Sequence, residues 1–184
     1  MKVLVACEFS GIVRDAFSKR HDAMSCDLLP TESPGPHYQG DVRDLLAFLP
    51  FDLMIAFPPC THLCVSGSRW WSDKQQEQAD ALEFVQLLLD SPVRRIALEN
   101  PVGIISTKIR KPDQTFHPWM FGHGEVKRTC LWLKNLPKLM PTRVVDGRTP
   151  KVHHEPPGPD RWKNRSRFSS GIAAAMADQW GWLK

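Results

Sequence analysis

Leu53-Met54-Ile55-Ala56-Phe57-Pro58-Pro59-Cys60 is the stretch on which the reading of this chain turns. Five consecutive apolar residues predict a short buried strand. Two prolines then end it, because proline lacks an amide hydrogen and fixes its own φ. Cys60 is thereby delivered just past a sheet edge, where open α/β sheets place their ligands. A thiol so placed reads as a nucleophile, against the ordinary alternative of a small buried hydrophobe.

A second strand, Arg94 to Pro101, ends in Glu99-Asn100-Pro101. In a parallel sheet the two strand ends share one edge, which pairs a carboxylate with the thiol. At the N-terminus, Lys2–Cys7 reads as the opening strand. Ser10-Gly11 follows as a tight turn, and Ile12, Val13, Ala16 and Phe17 recur at helical spacing. Such a strand–turn–helix unit can cradle a polar ligand. Ala23–Cys26 predicts the next strand, with Asp27 at its end, where a carboxylate commonly accepts from a ribose. Gly40-Asp41-Val42 opens a further helix, with Asp41 either its N-cap or a ligand group.

Thr61 to Trp71 mixes small, aromatic and basic residues in a loop, and Ser72-Asp73 is expected to cap a helix running to about Leu89. Cys60, His62 and Cys64 lack the spacing of a zinc knuckle, so no metal is expected. Lys127–Leu133 reads as a late edge strand. The 134–168 stretch, basic and punctuated by prolines, reads as ordered loops within a single 1–184 domain. Gly171–Trp180 closes the chain as a helix of small residues.

The 184 residues carry a net charge of +4, unevenly spread. From Lys127 to Phe168 eleven basic residues face three acidic ones, a net +8, which leaves −4 for the remainder. A basic third on a mildly acidic body points to a polyanionic partner. No apolar run approaches membrane-spanning length, the chain opens directly on a strand, and five scattered cysteines fit a reducing compartment. A cytoplasmic location with no membrane partner is the expectation; the oligomeric state is left open.

Together these motifs resemble the cytosine-5 DNA methyltransferase family. Pro58-Pro59-Cys60 matches its catalytic motif, and Glu99-Asn100 the pair that holds the target cytosine. Glu8-Phe9-Ser10-Gly11 looks like its first motif, although Cys7 stands at the motif aspartate and Val13 and Arg14 at its later glycines. Gly40-Asp41-Val42 is similar to its adenine-binding motif, and Val65-Ser66-Gly67-Ser68 to its mobile catalytic loop. Lys127-Arg128 resembles a motif of spaced arginines whose second member is here Cys130. The resemblance implies a Rossmann-like S-adenosylmethionine-dependent methyltransferase sheet with helices on both faces. It implies Cys60, Glu99, Asn100 and Arg128 as catalytic, and Phe9, Gly11, Asp27, Asp41 and Pro58 as cofactor-binding. DNA containing cytosine is the implied partner, and residues 134–168 stand where the family carries a larger target-recognition region. Ser66, Arg69, Trp70, Lys127, Arg143, Arg161, Lys163 and Arg165 are the expected nucleic-acid contacts. Two alternatives remain: methylation of a free cytosine nucleotide, and a DNA-binding relic without activity.

Overall fold

The computed structural model describes residues 1–48, 50–150 and 154–183, with 67–70 described by backbone alone. Seven strands form one sheet: β1 (Lys2–Ala6), β2 (Asp22–Asp27), β3 (His37–Gln39), β4 (Leu53–Ala56), β5 (Arg95–Pro101), β6 (Gln114–Phe116) and β7 (Thr129–Lys134). Their order is β3-β2-β1-β4-β5-β7-β6. The first five are mutually parallel, and β7 runs antiparallel to both β5 and β6. Lys127–Leu133 was expected at an edge. Instead β7 is interior, covered by β6, whose three residues carry too little pattern to announce a strand.

β1 and β4 are apolar throughout because both faces of the sheet are covered. Val3, Val5, Leu53 and Ile55 pack on one side against α1 (Ile12–Ser18) and α6 (Ser170–Trp180). Leu4, Ala6, Met54 and Ala56 pack on the other against α2 (Val42–Phe48), α3 (Gln75–Asp90) and α4 (Ile105–Lys108). Side chains buried this fully contribute roughly 1.5–3 kcal/mol each. Ala173 and Ala175 are the small residues that let α6 lie close to its neighbours.

Two further differences concern the loops. Val65–Asp73 is a 3-10 helix rather than open loop, so α3 starts at Gln75 and the Ser72 hydroxyl bonds Asp73 instead of capping it. Within the Pro-rich stretch, Arg161–Ser166 forms a short helix, α5. No helix among the described residues is long and apolar enough to cross a membrane.

Candidate active site

Every β1–β4–β5 strand end meets at the carboxyl edge, and the two proline-terminated turns are laced together there. Asn100 Nδ2 donates to the Pro58 carbonyl at 2.8 Å. The Val65 amide bonds the Val102 carbonyl at 3.1 Å, and the Ile104 amide bonds the Leu63 carbonyl at 2.8 Å. Gly103 permits this approach: a Cβ there would sit 1.9 Å from the Leu63 carbonyl oxygen. Cys60 itself starts a tight turn, its carbonyl accepting from Leu63 and Cys64 at 3.0 Å each. The nucleophile candidate is thus fixed to the strand that carries Glu99 by bonds across the gap.

Burial pushes both the thiol and the carboxyl upward. The Cys60 thiol is held above its ordinary value by its hydrogen bond with Cys64, by burial, and by the Cys64 and Glu99 charges, with Lys127 opposing. Burial likewise raises the Glu99 carboxyl, again opposed by Lys127. Glu99 is 8% exposed and makes no ion pair among the described residues. Burial that favours the neutral form of a carboxyl favours its use as a proton donor. Lys127 bonds the Arg165 carbonyl through Nζ at 3.1 Å. Arg128, expected in the catalytic group, is exposed, and its charge bears on His117 and Cys130. The cation acting on both Cys60 and Glu99 is Lys127.

The residues expected around a cofactor lie along the same edge. Phe9 is buried at the end of β1, beside Gly11, whose φ of 76° suits glycine. A Cβ at Gly11 would lie 2.5 Å from the Arg14 guanidinium. Asp27 closes β2, its Oδ1 accepting from the Leu29 amide at 3.0 Å while burial raises its carboxyl. Asp41 accepts from the Arg43 amide at 2.9 Å and from the Arg43 guanidinium, which lowers its carboxyl, so the capping alternative is realised. Cys7 adopts φ 58°, a strained setting for a residue with a Cβ, and burial followed by the Asp27 charge raises its thiol.

Two features of this region carry no sequence signal. The Glu8 carboxylate occupies the start of α1, accepting from the Val13 amide at 2.7 Å, the Arg14 amide at 3.2 Å and the Ser10 hydroxyl at 3.1 Å. Arg14, placed where the family has glycine, is fully buried and ties α1 to the 31–36 loop. It donates to Ser25, Thr31, and the Ser33 and Pro34 carbonyls, and pairs with Asp15.

α5 lies over the same region. Trp162 meets the Phe9 ring at 6.4 Å, and the Lys163 ammonium stands 5.3 Å from it. Lys163 and Arg167 both pair with Glu32, at 3.1 and 2.8 Å. Phe168 packs on Phe57 at 4.8 Å. Lys163, expected on DNA, is therefore paired within the protein, while Arg143 and Arg161 make no ion pair among the described residues. Arg161 instead bonds the Glu155 carbonyl at 2.8 Å. Ser66 is exposed beside the catalytic turn, its hydroxyl 2.9 Å from Cys64 Sγ. The side chains of Arg69 and Trp70, and all of Lys151, lie outside the described residues. Among the described residues no cluster of His, Cys, Asp or Glu could hold a metal ion.

A parallel sheet of this order, with an antiparallel β7 inserted and helices on both faces, is a Rossmann-like sheet. The chain superposes on a crystal structure of a prophage-encoded E. coli protein provisionally assigned as a DNA modification methyltransferase, with a TM-score of 0.52 and 16% sequence identity. The match covers 85% of this chain and 55% of that one, so this chain spans about half its neighbour's length. At that identity the likeness carries the fold alone. No family model matches the chain, nor does any curated protein.

Proposed function

We propose that this protein is a DNA (cytosine-5) methyltransferase that acts through a covalent adduct of Cys60 with the target base. The observation that carries the reading is the placement of Cys60 and Glu99 at the carboxyl ends of two paired parallel strands, with Asn100 Nδ2 donating to the Pro58 carbonyl between their turns. Carbon 5 of cytosine is a poor nucleophile until something adds at carbon 6. Cys60 gives up its thiol proton to water and Sγ adds to carbon 6, while Glu99 gives its proton to ring nitrogen 3, which takes up the charge. Asn100 keeps the turn in place. Once carbon 5 carries the new group and has passed its own proton to water, the electrons of that C–H bond expel Cys60 as thiolate and ring nitrogen 3 returns its proton to Glu99. In duplex DNA the base must first leave the stack, at a cost of a few kcal/mol.

S-adenosylmethionine would supply the transferred methyl group. Asp27 and Asp41 lie at successive strand ends, where they would hold the ribose and adenine, and Phe9 lies beside them past the end of β1. The amides of α1 are taken by Glu8, so a cofactor carboxylate would use other donors. Phe9 is only 6% exposed under α5, and entry there would require α5 to shift.

The test is incubation with cofactor and DNA containing 5-fluorocytosine, whose fluorine cannot leave as a proton. A denaturation-stable adduct on Cys60, absent in Cys60→Ala, is the expected result. Trapping on the free fluorinated nucleotide alone would move the assignment to a nucleotide methyltransferase. DNA binding without trapping would leave the inactive relic.

A further inference from the structure

Beyond β6 lies a second group of chemistry-bearing side chains that the catalytic reading does not use. The register sets Pro101 against Thr129 and Thr129 against Phe116. His117 and Arg128 therefore emerge past the same edge as Cys60 and Glu99. The chain from Trp119 to Val126 is bonded to the chain from Arg143 to Thr149. The amides of Arg143, Val145 and Thr149 reach the carbonyls of Met120, Trp119 and Gly124 at 3.2, 3.0 and 3.1 Å, and the Val126 amide reaches Thr149 at 3.0 Å. On this scaffold the Arg148 guanidinium lies 3.9 Å over the Trp119 ring. His117 lies nearly parallel to Trp119, at 18° and 6.0 Å.

We infer that this platform, Trp119 with His117, Arg128 and Arg148, holds unpaired nucleotides of a single-stranded DNA beside the target base. The inference rests on the DNA reading above and narrows its substrate. Three observations support it. Arg128, Arg143 and Arg148 are exposed and have no carboxylate partner among the described residues, whereas Lys163 and Arg167 are paired with Glu32. Burial together with the Arg128 and Arg148 charges lowers the imidazole's pKa, favouring a neutral His117 ring beside Trp119, its Nδ1 buried with no hydrogen-bond partner among the described residues. The scaffold is held by single bridges, Phe121–Arg143 and Glu125–Thr149, around one 3-10 turn, Pro118–Met120. That is too slight to fill a major groove about 12 Å wide. Planar aromatic and guanidinium groups beside free cations suit splayed bases and their phosphates.

Fluorescence anisotropy with a labelled cytosine-containing oligonucleotide, single-stranded and as the matching duplex, tests this. The single strand is expected to bind more tightly than the duplex. Trp119→Ala is expected to weaken single-strand binding about tenfold or more, the loss of one stacked base, while Trp119→Phe keeps most of it. Arg148→Gln should also flatten the log–log salt dependence by about 0.7, one phosphate contact on a single strand. Thermal unfolding of each variant separates lost binding from lost fold; a Trp119→Ala that unfolds leaves Trp119→Phe and Arg148→Gln to decide. Duplex binding as tight as single-strand binding, or folded variants that bind as the parent does, overturns the platform. Fluorocytosine trapping that persists in those variants would then leave the catalytic reading standing. Platform-dependent binding without trapping would do the reverse.

Discussion

Lys127 is a single cation serving two acids that must behave oppositely, since Cys60 has to lose a proton and Glu99 has to keep one. Its charge pulls both groups downward against burial. Removing it as Lys127→Met should let both rise. At a fixed pH the thiolate population falls, so fluorocytosine trapping at pH 7.5 should slow several-fold. Raising the pH should restore the rate, and the alkaline limb set by Glu99 should move upward too; Lys127→Arg should stay near the parent. A pH–rate profile that does not move would remove Lys127 from the site. Arg14 makes a different prediction. Its guanidinium has no solvent to fall back on, and Arg14→Met removes its bonds to Ser25, Thr31 and the Ser33 and Pro34 carbonyls. Denaturant unfolding should show a loss of about 2–4 kcal/mol, as expected when buried polar groups lose their partner.

At the scale of elements, α5 is the segment whose placement depends on charge. Arg167 and Lys163 hold Glu32 below the usual carboxylate range, the hydrogen bond from Arg167 being the larger cause. A carboxylate depressed in the folded protein stabilises it above its unfolded pKa, and that contribution is lost as pH falls through the folded value. Hydrogen exchange of the α5 amides should therefore quicken as pH drops below about 4.5, after correction for intrinsic rates. Glu32→Gln should quicken it several-fold already at pH 7. Equal protection in parent and variant would mean that Trp162 on Phe9 and Phe168 on Phe57 suffice to dock the helix. α5 also marks where the sequence stops being legible. β1, β4, β5, α1 and the Pro-Pro-Cys turn follow from apolar runs, spacing and proline, all local signals. Arg161–Ser166 has no apolar period at all, and its partners Phe9 and Glu32 are more than a hundred residues away. β3 and β6, three residues each, are too short for alternation to register. Glu8 and Arg14 are invisible for another reason: each is a charged residue buried by its particular partners, which spacing does not encode.

Across the whole molecule, the +8 of residues 127–168 does not form one field. The structure divides those charges. Lys163 and Arg167 pair with Glu32, and Lys127 donates to the Arg165 carbonyl while its charge bears on Cys60 and Glu99; Arg128, Arg143 and Arg148 are exposed with no acidic partner among the described residues. The outer set is free to displace counterions from a phosphate backbone, and each contact made on a single strand contributes about −0.7 to the log–log salt slope. Replacing Arg128, Arg143 and Arg148 together by Gln should therefore flatten the slope for single-stranded DNA by about 2. Replacing Lys163 and Arg167 by Met should leave it within about half a unit, because their charge is already compensated by Glu32. Total charge cannot produce that contrast, since net charge counts all five residues alike. Titrations from low to moderate salt measure both slopes directly. If the α5 pair proves as costly as the outer arginines, α5 swings off Glu32 onto DNA, and the same element would serve cofactor and nucleic acid in turn.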